Sequence, residues 1–129
     1  MSLSKNKLRT TRLNKEEISL EKEPIENAFV KRKDELKFYF CLYKLEDDFT
    51  HGFYFGLLEL HPDYPFYAPK LFFYTPNGRY EQNIPICTSF TNYHQESWTS
   101  AWNVRTLIQA TISFMYANEP SYGCRSDPA

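Results

Sequence analysis

The stretch LKFYFCLYKLEDDFTHGFYFGLLELHPDYPFYAPKLFFYT, residues 36–75, decides the fold of this chain. It contains three runs rich in aromatic and aliphatic residues, at 36–45, 53–60 and 71–75, and such runs are typical of β-strands. EDDFTHG separates the first two, and the three prolines of HPDYPFYAP exclude regular structure before the third. A fourth run, Ile25–Val30, comes first, and we expect the charged stretch KRKDE after it to be a turn. The sequence therefore predicts an antiparallel meander of four strands.

A helix is predicted on each side of this meander. RLNKEEISLEKE, residues 12–23, follows Thr10 and Thr11, either of which can cap a helix, and precedes Pro24, which ends it. The second helix begins at Asn103 or Val104. In NVRTLIQATISFMYA the apolar residues recur at helical spacing, so this helix is expected to be buried along one side. Helix, four strands, long loop and helix make an α+β fold.

Composition and cysteine usage exclude several classes of protein. A chain of 129 residues suits one domain with a hydrophobic core, and a formal charge of −1 indicates neither nucleic acid nor an anionic membrane as partner. Cys41, Cys87 and Cys124 include no CxxC pair, and the histidines are scattered. We therefore expect no disulfide framework, metal site or cofactor. Without a signal-peptide core or a run of roughly 18 apolar residues, the chain as given is expected to be soluble and intracellular.

The chemistry is expected in residues 75–102, which contain prolines, asparagines, serines and two tryptophans but no long periodic pattern. A structureless stretch of this length in a compact domain usually indicates a functional loop. Cysteine is more often a buried core residue than a functional one, but Cys87 lies in this polar loop, where another macromolecule can reach its thiol. His94 follows seven residues later and raises a Cys–His hydrolase as an alternative, although that spacing is not diagnostic.

The order of the motifs resembles that of ubiquitin-conjugating enzymes. Between residues 10 and 120 the chain has the helix, the meander, Tyr-Pro-Phe-x-x-Pro at 64–69, Pro-Asn at 76–77, Cys87, Trp98 and the helix after Trp102. In detail it resembles the tail-anchored branch of the endoplasmic reticulum membrane, the J group. TPNGRY replaces the usual His-Pro-Asn turn, and Cys87 lies ten residues after Asn77. The segment CTSFTNYHQESWTSAWNVRTL resembles the extended loop of that branch.

This resemblance implies that Cys87 accepts ubiquitin as a thioester from the activating enzyme of the ATP-dependent pathway. A thiol with a pKa of about 8.5 is a few per cent thiolate at neutral pH, which suffices for thioester exchange. The Asn77 amide would steady the loop or the oxyanion, while the alternative is a plain turn residue in Pro-Asn-Gly. The further partners implied are ubiquitin, a RING-type ubiquitin ligase and protein substrates.

Ligase contacts are implied for Phe66 and for Thr99, Ser100 and Ala101. The family's usual wording of the second segment is Ser-Pro-Ala, so Ser100 in place of proline brings the strength or choice of the ligase contact into question. The alternative for Phe66 is a ring packed against the sheet. The basic N-terminal stretch would dock an acidic face of the activating enzyme, or it is simply a solvated terminus.

One departure concerns the acceptor. Many members of the family have an acidic residue two positions after the cysteine and another after the second helix, which orient or deprotonate the attacking lysine. Ser89 occupies the first position, and Ser121 or Tyr122 approximately the second. We therefore expect weak activation of amines, with serine and threonine hydroxyls as acceptors alongside lysine.

The resemblance also predicts the domain organisation. Residues 1–9 form a basic N-terminal extension, 10–120 a catalytic core truncated at its C-terminal side, and 121–129 a frayed tail. Tail-anchored relatives continue into a membrane anchor that these residues lack, so the chain is expected to be the cytosolic domain of a protein anchored at the endoplasmic reticulum. Its role would be in endoplasmic-reticulum-associated degradation. A non-catalytic module that binds ubiquitin or a ligase is the alternative on this fold, and the cysteine at the matching position argues against it.

Overall fold

The computed structural model describes residues 3–46, 52–75, 82–83 and 98–116. Its elements are α1 (Leu3–Lys22), β1 (Ala28–Asp34), β2 (Lys37–Tyr43), β3 (Phe53–Glu59), β4 (Lys70–Phe73) and α2 (Val104–Met115). The strands form one antiparallel sheet in the order β1-β2-β3-β4. The predicted α+β plan and four-stranded meander are therefore confirmed.

The core lies on one face of this sheet, between the strands and the two helices. Alternate residues of β2 and β3 point to the same side, and the register pairs Phe38 with Leu58 and Leu42 with Tyr54. These side chains pack with Leu13 of α1 and with the apolar residues of α2 in one hydrophobic cluster. The apolar spacing of α2 predicted this correctly, since Val104, Leu107, Ile108 and Met115 are buried.

The outer face of the sheet has no such cover among the described residues. Phe29 on β1 is 64% exposed, and Phe53 and Phe55 on β3 are 65% and 51% exposed. Phe29 stacks on Tyr43 with ring centroids 4.6 Å apart. Aromatic residues of the strands therefore lie on both faces of the sheet, and only those on the inner face belong to the core.

The stretch KRKDE is not a turn as predicted, because Lys31–Asp34 continue β1. Lys31 and Lys33 are exposed, whereas Arg32 lies over the Phe38 ring and forms an ion pair with Glu17 at 3.1 Å. A strand tolerates these charges because its outward side chains remain in water and its one inward charge is paired. The turn that joins β1 to β2 contains Glu35 and Leu36.

The predicted start of the first helix is also wrong, because α1 begins at Leu3. Thr10 lies inside the helix, and its hydroxyl donates to Glu35 Oε1 at 2.7 Å instead of capping it. Arg9 also binds Glu35, with Nη2 3.0 Å from Oε1. These contacts hold the basic first half of the helix against the β1–β2 turn. None of the helices in the described ranges is both long and apolar enough to cross a bilayer.

Candidate functional site

The connection between β3 and β4 presents Phe66 at the surface. Tyr64 is only 1% exposed, and the Tyr64–Pro65 peptide bond is cis. The backbone N–H of Phe66 donates to the Asp63 carbonyl at 2.9 Å, and Tyr67 stacks on His61 with centroids 4.5 Å apart. Phe66 is 51% exposed, so half of its surface is available to a partner protein.

The segment between Trp98 and α2 is a β-turn. The N–H of Trp102 donates to the Thr99 carbonyl at 3.2 Å, which closes a turn with Ser100 and Ala101 at its two central positions. Thr99, Ser100 and Ala101 are all exposed. Behind the turn the two indoles stack, with centroids 6.3 Å apart and planes 14° apart. The predicted segment therefore forms a compact turn without its usual proline.

A hydrogen bond joins these two segments. The indole Nε1 of Trp98, a residue only 8% exposed, donates to the Pro65 carbonyl at 2.9 Å. The exposed turn at 99–101 and the loop that carries Phe66 are thereby fixed next to each other. We call these two segments together the paired-loop surface, comprising residues 64–67 and 98–102. The structure thus brings all four predicted ligase-contact residues onto neighbouring segments.

Two residues of α1 that the sequence did not single out support the paired-loop surface. Arg12 donates from Nη1 to the Ser100 carbonyl at 2.9 Å and from Nη2 to the Trp102 carbonyl at 2.5 Å. Its guanidinium lies 5.1 Å from the centre of the Tyr64 ring and pairs with Glu16 at 3.0 Å. The only signal in the sequence is their spacing of four residues, which places them on one face of the helix.

Electrostatics keep Tyr64 and Arg12 protonated at neutral pH. Burial, and then the neighbouring Glu16 carboxylate, raise the pKa of Tyr64 well above its usual range, so its hydroxyl remains a donor. Burial opposes the charge on Arg12, but the Glu16 hydrogen bond and the Coulombic effects of Tyr64 and Glu16 together raise the pKa of Arg12. The guanidinium and the phenol therefore both donate to Glu16 at neutral pH.

The start of α2 has its own cap. Asn103 is the N-cap, its Oδ1 accepting from the Thr106 N–H at 2.9 Å while its own N–H donates to Thr106 Oγ1 at 3.0 Å. This is a capping box with threonine in the place of the usual Glu or Gln. The prediction that the second helix begins at Asn103 or Val104 is confirmed, and the cap fixes where the turn at 99–102 ends.

Several predicted site residues lie outside the described residues: Cys87, Asn77, Ser89, Ser121, Tyr122 and His94. Thr75, which stands where most members of the family have histidine, is at the end of the described strand region. Its Oγ1 accepts a hydrogen bond from the Phe55 N–H at 3.0 Å. Further along the chain, the Asn83 N–H donates to the Phe73 carbonyl at 2.8 Å, so Asn83 lies beside the end of β4.

Cys41 is the free cysteine within the described residues, and it lies on β2 with 8% of its surface exposed. Burial raises the pKa of its thiol, which disfavours the thiolate that a nucleophile needs. The described part of the chain contains no group of three His, Cys, Asp or Glu residues that could hold a metal ion.

Two arginines of the basic N-terminal stretch form contacts with other parts of the chain. Arg9 pairs with Glu35 and also donates to the Pro62 carbonyl, and Arg12 supports the turn at 99–102. Lys7 and Lys15 are exposed. Lys15 lines an open groove between α1 and the start of α2, together with Arg105 and the half-exposed Leu8. A basic groove with an apolar side chain suits an acidic partner surface.

Known proteins with similar sequences and structures are ubiquitin-conjugating enzymes. "Probable ubiquitin-conjugating enzyme E2 33" of Arabidopsis thaliana is 36% identical over 115 residues, which are 87% of this chain and 47% of that protein. "Ubiquitin-conjugating enzyme E2 J2" of Bos taurus is 38% identical over 72 residues, 56% of this chain and 28% of that protein. The chain therefore spans less than half the length of either relative. No protein-family model matches the sequence.

Among solved structures, human ubiquitin-conjugating enzyme E2 G1 superposes with a TM-score of 0.69 at 23% identity, over 82% of this chain and 93% of that one. At this identity the match establishes the fold.

Proposed function

Since this chain belongs to the ubiquitin-conjugating enzyme family, we propose that it accepts ubiquitin as a thioester on Cys87 and transfers it to substrate proteins with a RING-type ligase. The observation that carries the proposal is the Trp98–Pro65 hydrogen bond, which fixes exposed Phe66 beside the exposed turn at 99–101. A surface of this kind, with an aromatic side chain and a small polar turn on rigid supports, suits a protein partner.

The proposed chemistry is two successive acyl transfers. The Cys87 thiolate attacks the thioester carbonyl that links ubiquitin to the activating enzyme, and the thiolate of that enzyme leaves. A lysine amine of the substrate then attacks the new thioester, loses a proton and forms an amide while the Cys87 thiolate leaves. The Asn77 amide would donate to the oxyanion, and a donor of this kind is worth about 3–4 kcal/mol in the transition state.

The described residues support Cys87 over Cys41 as the acceptor. A thioester needs a thiol that the activating enzyme can reach, and Cys41 lies on a strand with 8% of its surface exposed. Its raised pKa further lowers its thiolate fraction at neutral pH. The activating enzyme itself would dock on the basic groove that Lys15 and Arg105 line, since this face of α1 carries exposed positive charge.

Two finer proposals follow from the branch that the chain resembles. Ser89, and approximately Ser121 or Tyr122, stand where acidic residues assist lysine in many members, so we propose that serine and threonine are acceptors too. The full-length protein would act in endoplasmic-reticulum-associated degradation, anchored with this domain facing the cytosol. The similarity to bovine E2 J2 supports this assignment to the branch. Fast discharge to free lysine with no modification of serine or threonine would contradict the first proposal.

The thioester is tested by mixing the chain with activating enzyme, ATP and ubiquitin and running a gel without reductant. We expect a band with one added ubiquitin that dithiothreitol removes. Cys87→Ser should convert it into a dithiothreitol-resistant, alkali-labile ester. Cys41→Ser is the control, and its thioester should form as in the wild type.

Three results would overturn the assignment. A thioester that persists in Cys87→Ser and disappears in Cys41→Ser would show that Cys41, and not Cys87, accepts ubiquitin. No adduct at all, with activating enzyme and ubiquitin-loading verified on another conjugating enzyme, would favour a non-catalytic binding module. Cleavage of a thioester by water without any partner protein would favour the cysteine hydrolase.

A further inference from the structure

The Glu16 carboxylate lies where α1, the β3–β4 connection and the start of α2 meet. Its Oε1 accepts from the backbone N–H of Val104 at 2.7 Å, and its Oε2 accepts from the Tyr64 hydroxyl at 2.8 Å. Oε2 also accepts from Arg12 Nε at 3.0 Å. One side chain thus joins segments 48 and 88 positions away in sequence.

Each of these donors belongs to, or directly supports, the paired-loop surface. Tyr64 is two residues before Phe66, and Val104 is the first residue of the helix that follows the turn at 99–102. Arg12, oriented by Glu16, holds the carbonyls of Ser100 and Trp102. Glu16 is therefore hydrogen-bonded directly to Tyr64 in the first segment and to Val104 just after the second. It supports the turn at 99–102 indirectly, through Arg12.

The negative charge of Glu16 strengthens this arrangement. Hydrogen bonds to a carboxylate are shorter and stronger than those to a neutral amide, and this carboxylate accepts three of them. It also lies at the N-terminus of α2, where the helix dipole favours a negative group. Its side chain is only 13% exposed, so it acts through its neighbours and offers little surface to a partner.

We propose that Glu16 is a positioning residue that locks the loop of Phe66 and the turn at 99–101 into one ligase-contact surface. The role in ligase contact rests on the proposed function, whereas the locking of the two segments does not. Loss of the Glu16 charge would leave the Trp98–Pro65 hydrogen bond as the direct link between the two segments and would let both of them move more. Binding of the ligase would then have to order both segments. This ordering costs entropy and weakens affinity without a change in any contact residue.

Amide hydrogen exchange in Glu16→Gln tests the locking directly. We expect exchange at residues 64–67 and 98–104 to become about tenfold faster than in the wild type, corresponding to about 1.4 kcal/mol. Glu17→Gln is the matched control, since this neighbouring glutamate pairs with Arg32 of β1 at 3.1 Å and not with Arg12, Tyr64 or Val104. Tyr64→Phe removes a single donor to Glu16 and serves as a second, milder variant if Glu16→Gln unfolds.

Exchange at both segments that equals the wild type, or that rises equally in Glu17→Gln, would overturn the proposal.

In a second experiment, a RING domain that stimulates wild-type discharge is titrated, with rates normalised to the thioester formed. We expect Glu16→Gln to raise the RING concentration for half-maximal stimulation by about tenfold at an unchanged maximal rate.

The Phe66→Ala background separates positioning from general destabilisation. If Glu16 acts by placing Phe66 and the turn, its substitution should add much less to the RING requirement once Phe66 is gone, since the two residues then affect one shared contact. Fully additive effects would contradict the proposal. If the wild type never forms a thioester, the proposed function fails, while the exchange measurement still decides whether Glu16 fixes the two segments.

Discussion

The indole N–H of Trp98 donates a 2.9 Å hydrogen bond to the carbonyl oxygen of Pro65, 33 positions earlier in the chain. Both atoms are buried. This bond fixes the distance between the loop that exposes Phe66 and the turn that exposes Thr99, Ser100 and Ala101. Trp98 therefore positions both exposed segments, although only 8% of its own surface is exposed.

Trp98→Phe should lower the free energy of unfolding by about 1–3 kcal/mol, because it leaves the Pro65 carbonyl buried without its donor. Urea denaturation followed by circular dichroism measures the change. Tyr67→Phe is the control, since Tyr67 lies in the neighbouring loop at 44% exposure and its ring stays stacked on His61. A Trp98→Phe variant as stable as the control would show that the bond contributes nothing to folding.

Phe66→Ala should weaken stimulation by a RING ligase while changing stability by less than about 1 kcal/mol, because half of the ring is already in water. The chain offers a matched control in Phe53→Ala, at 65% exposure on the outer face of the sheet. Ligase titration of the discharge rate and thermal melting are the two measurements. Equal losses of ligase response in the two variants would argue against a specific role for Phe66.

Ser100→Pro should be tolerated and should stabilise the chain by about 0.4–1 kcal/mol. Ser100 occupies the first central position of the turn closed by Trp102 N–H and Thr99 O at 3.2 Å, and proline is favoured there. The Ser100 carbonyl that Arg12 binds is retained. Ligase stimulation should rise with the more rigid turn, as measured by titration, and Ser100→Ala should reproduce neither gain. A lower melting temperature in Ser100→Pro would mean that the turn has to change shape.

Stability should fall above about pH 10 because the pKa of Tyr64 is raised by burial and by Glu16. The unfolded chain releases this proton near pH 10 while the folded chain retains it, so the unfolded state binds fewer protons there. The unfolding free energy then falls by up to about 1.4 kcal/mol per pH unit for this group, and below about pH 9 the group has no effect on the slope.

Urea denaturation between pH 8 and 11 measures that slope. Tyr64→Phe should show a shallower decline than the wild type, although some decline should remain because burial also raises the pKa of Tyr54 and Tyr74. Trp98→Phe, which removes no titratable group, should keep the wild-type slope. Parallel curves for the wild type and Tyr64→Phe would contradict a raised pKa at Tyr64.

The strands and the second helix could be predicted because their burial patterns are local. Phe38 and Leu58 are buried at positions where the pleat turns them inward, and the residues of α2 repeat with the helical period. The end of β1 and the start of α1 were predicted wrongly, because charged residues interrupt the apolar pattern there. Lys31 to Asp34 continue a strand whose outward charges are solvated, and α1 extends back to Leu3, where Arg9 finds Glu35 in a different element.

The sequence by itself determined the α+β meander, the start of α2 and the motif order that includes Cys87, because each depends on neighbouring residues or on their period. Only the tertiary structure decided that Glu16 meets Tyr64 and Val104, and that Trp98 meets Pro65. Hydrogen bonds between distant segments depend on how helices and loops pack in three dimensions. No local spacing specifies which donor a glutamate of α1 will find.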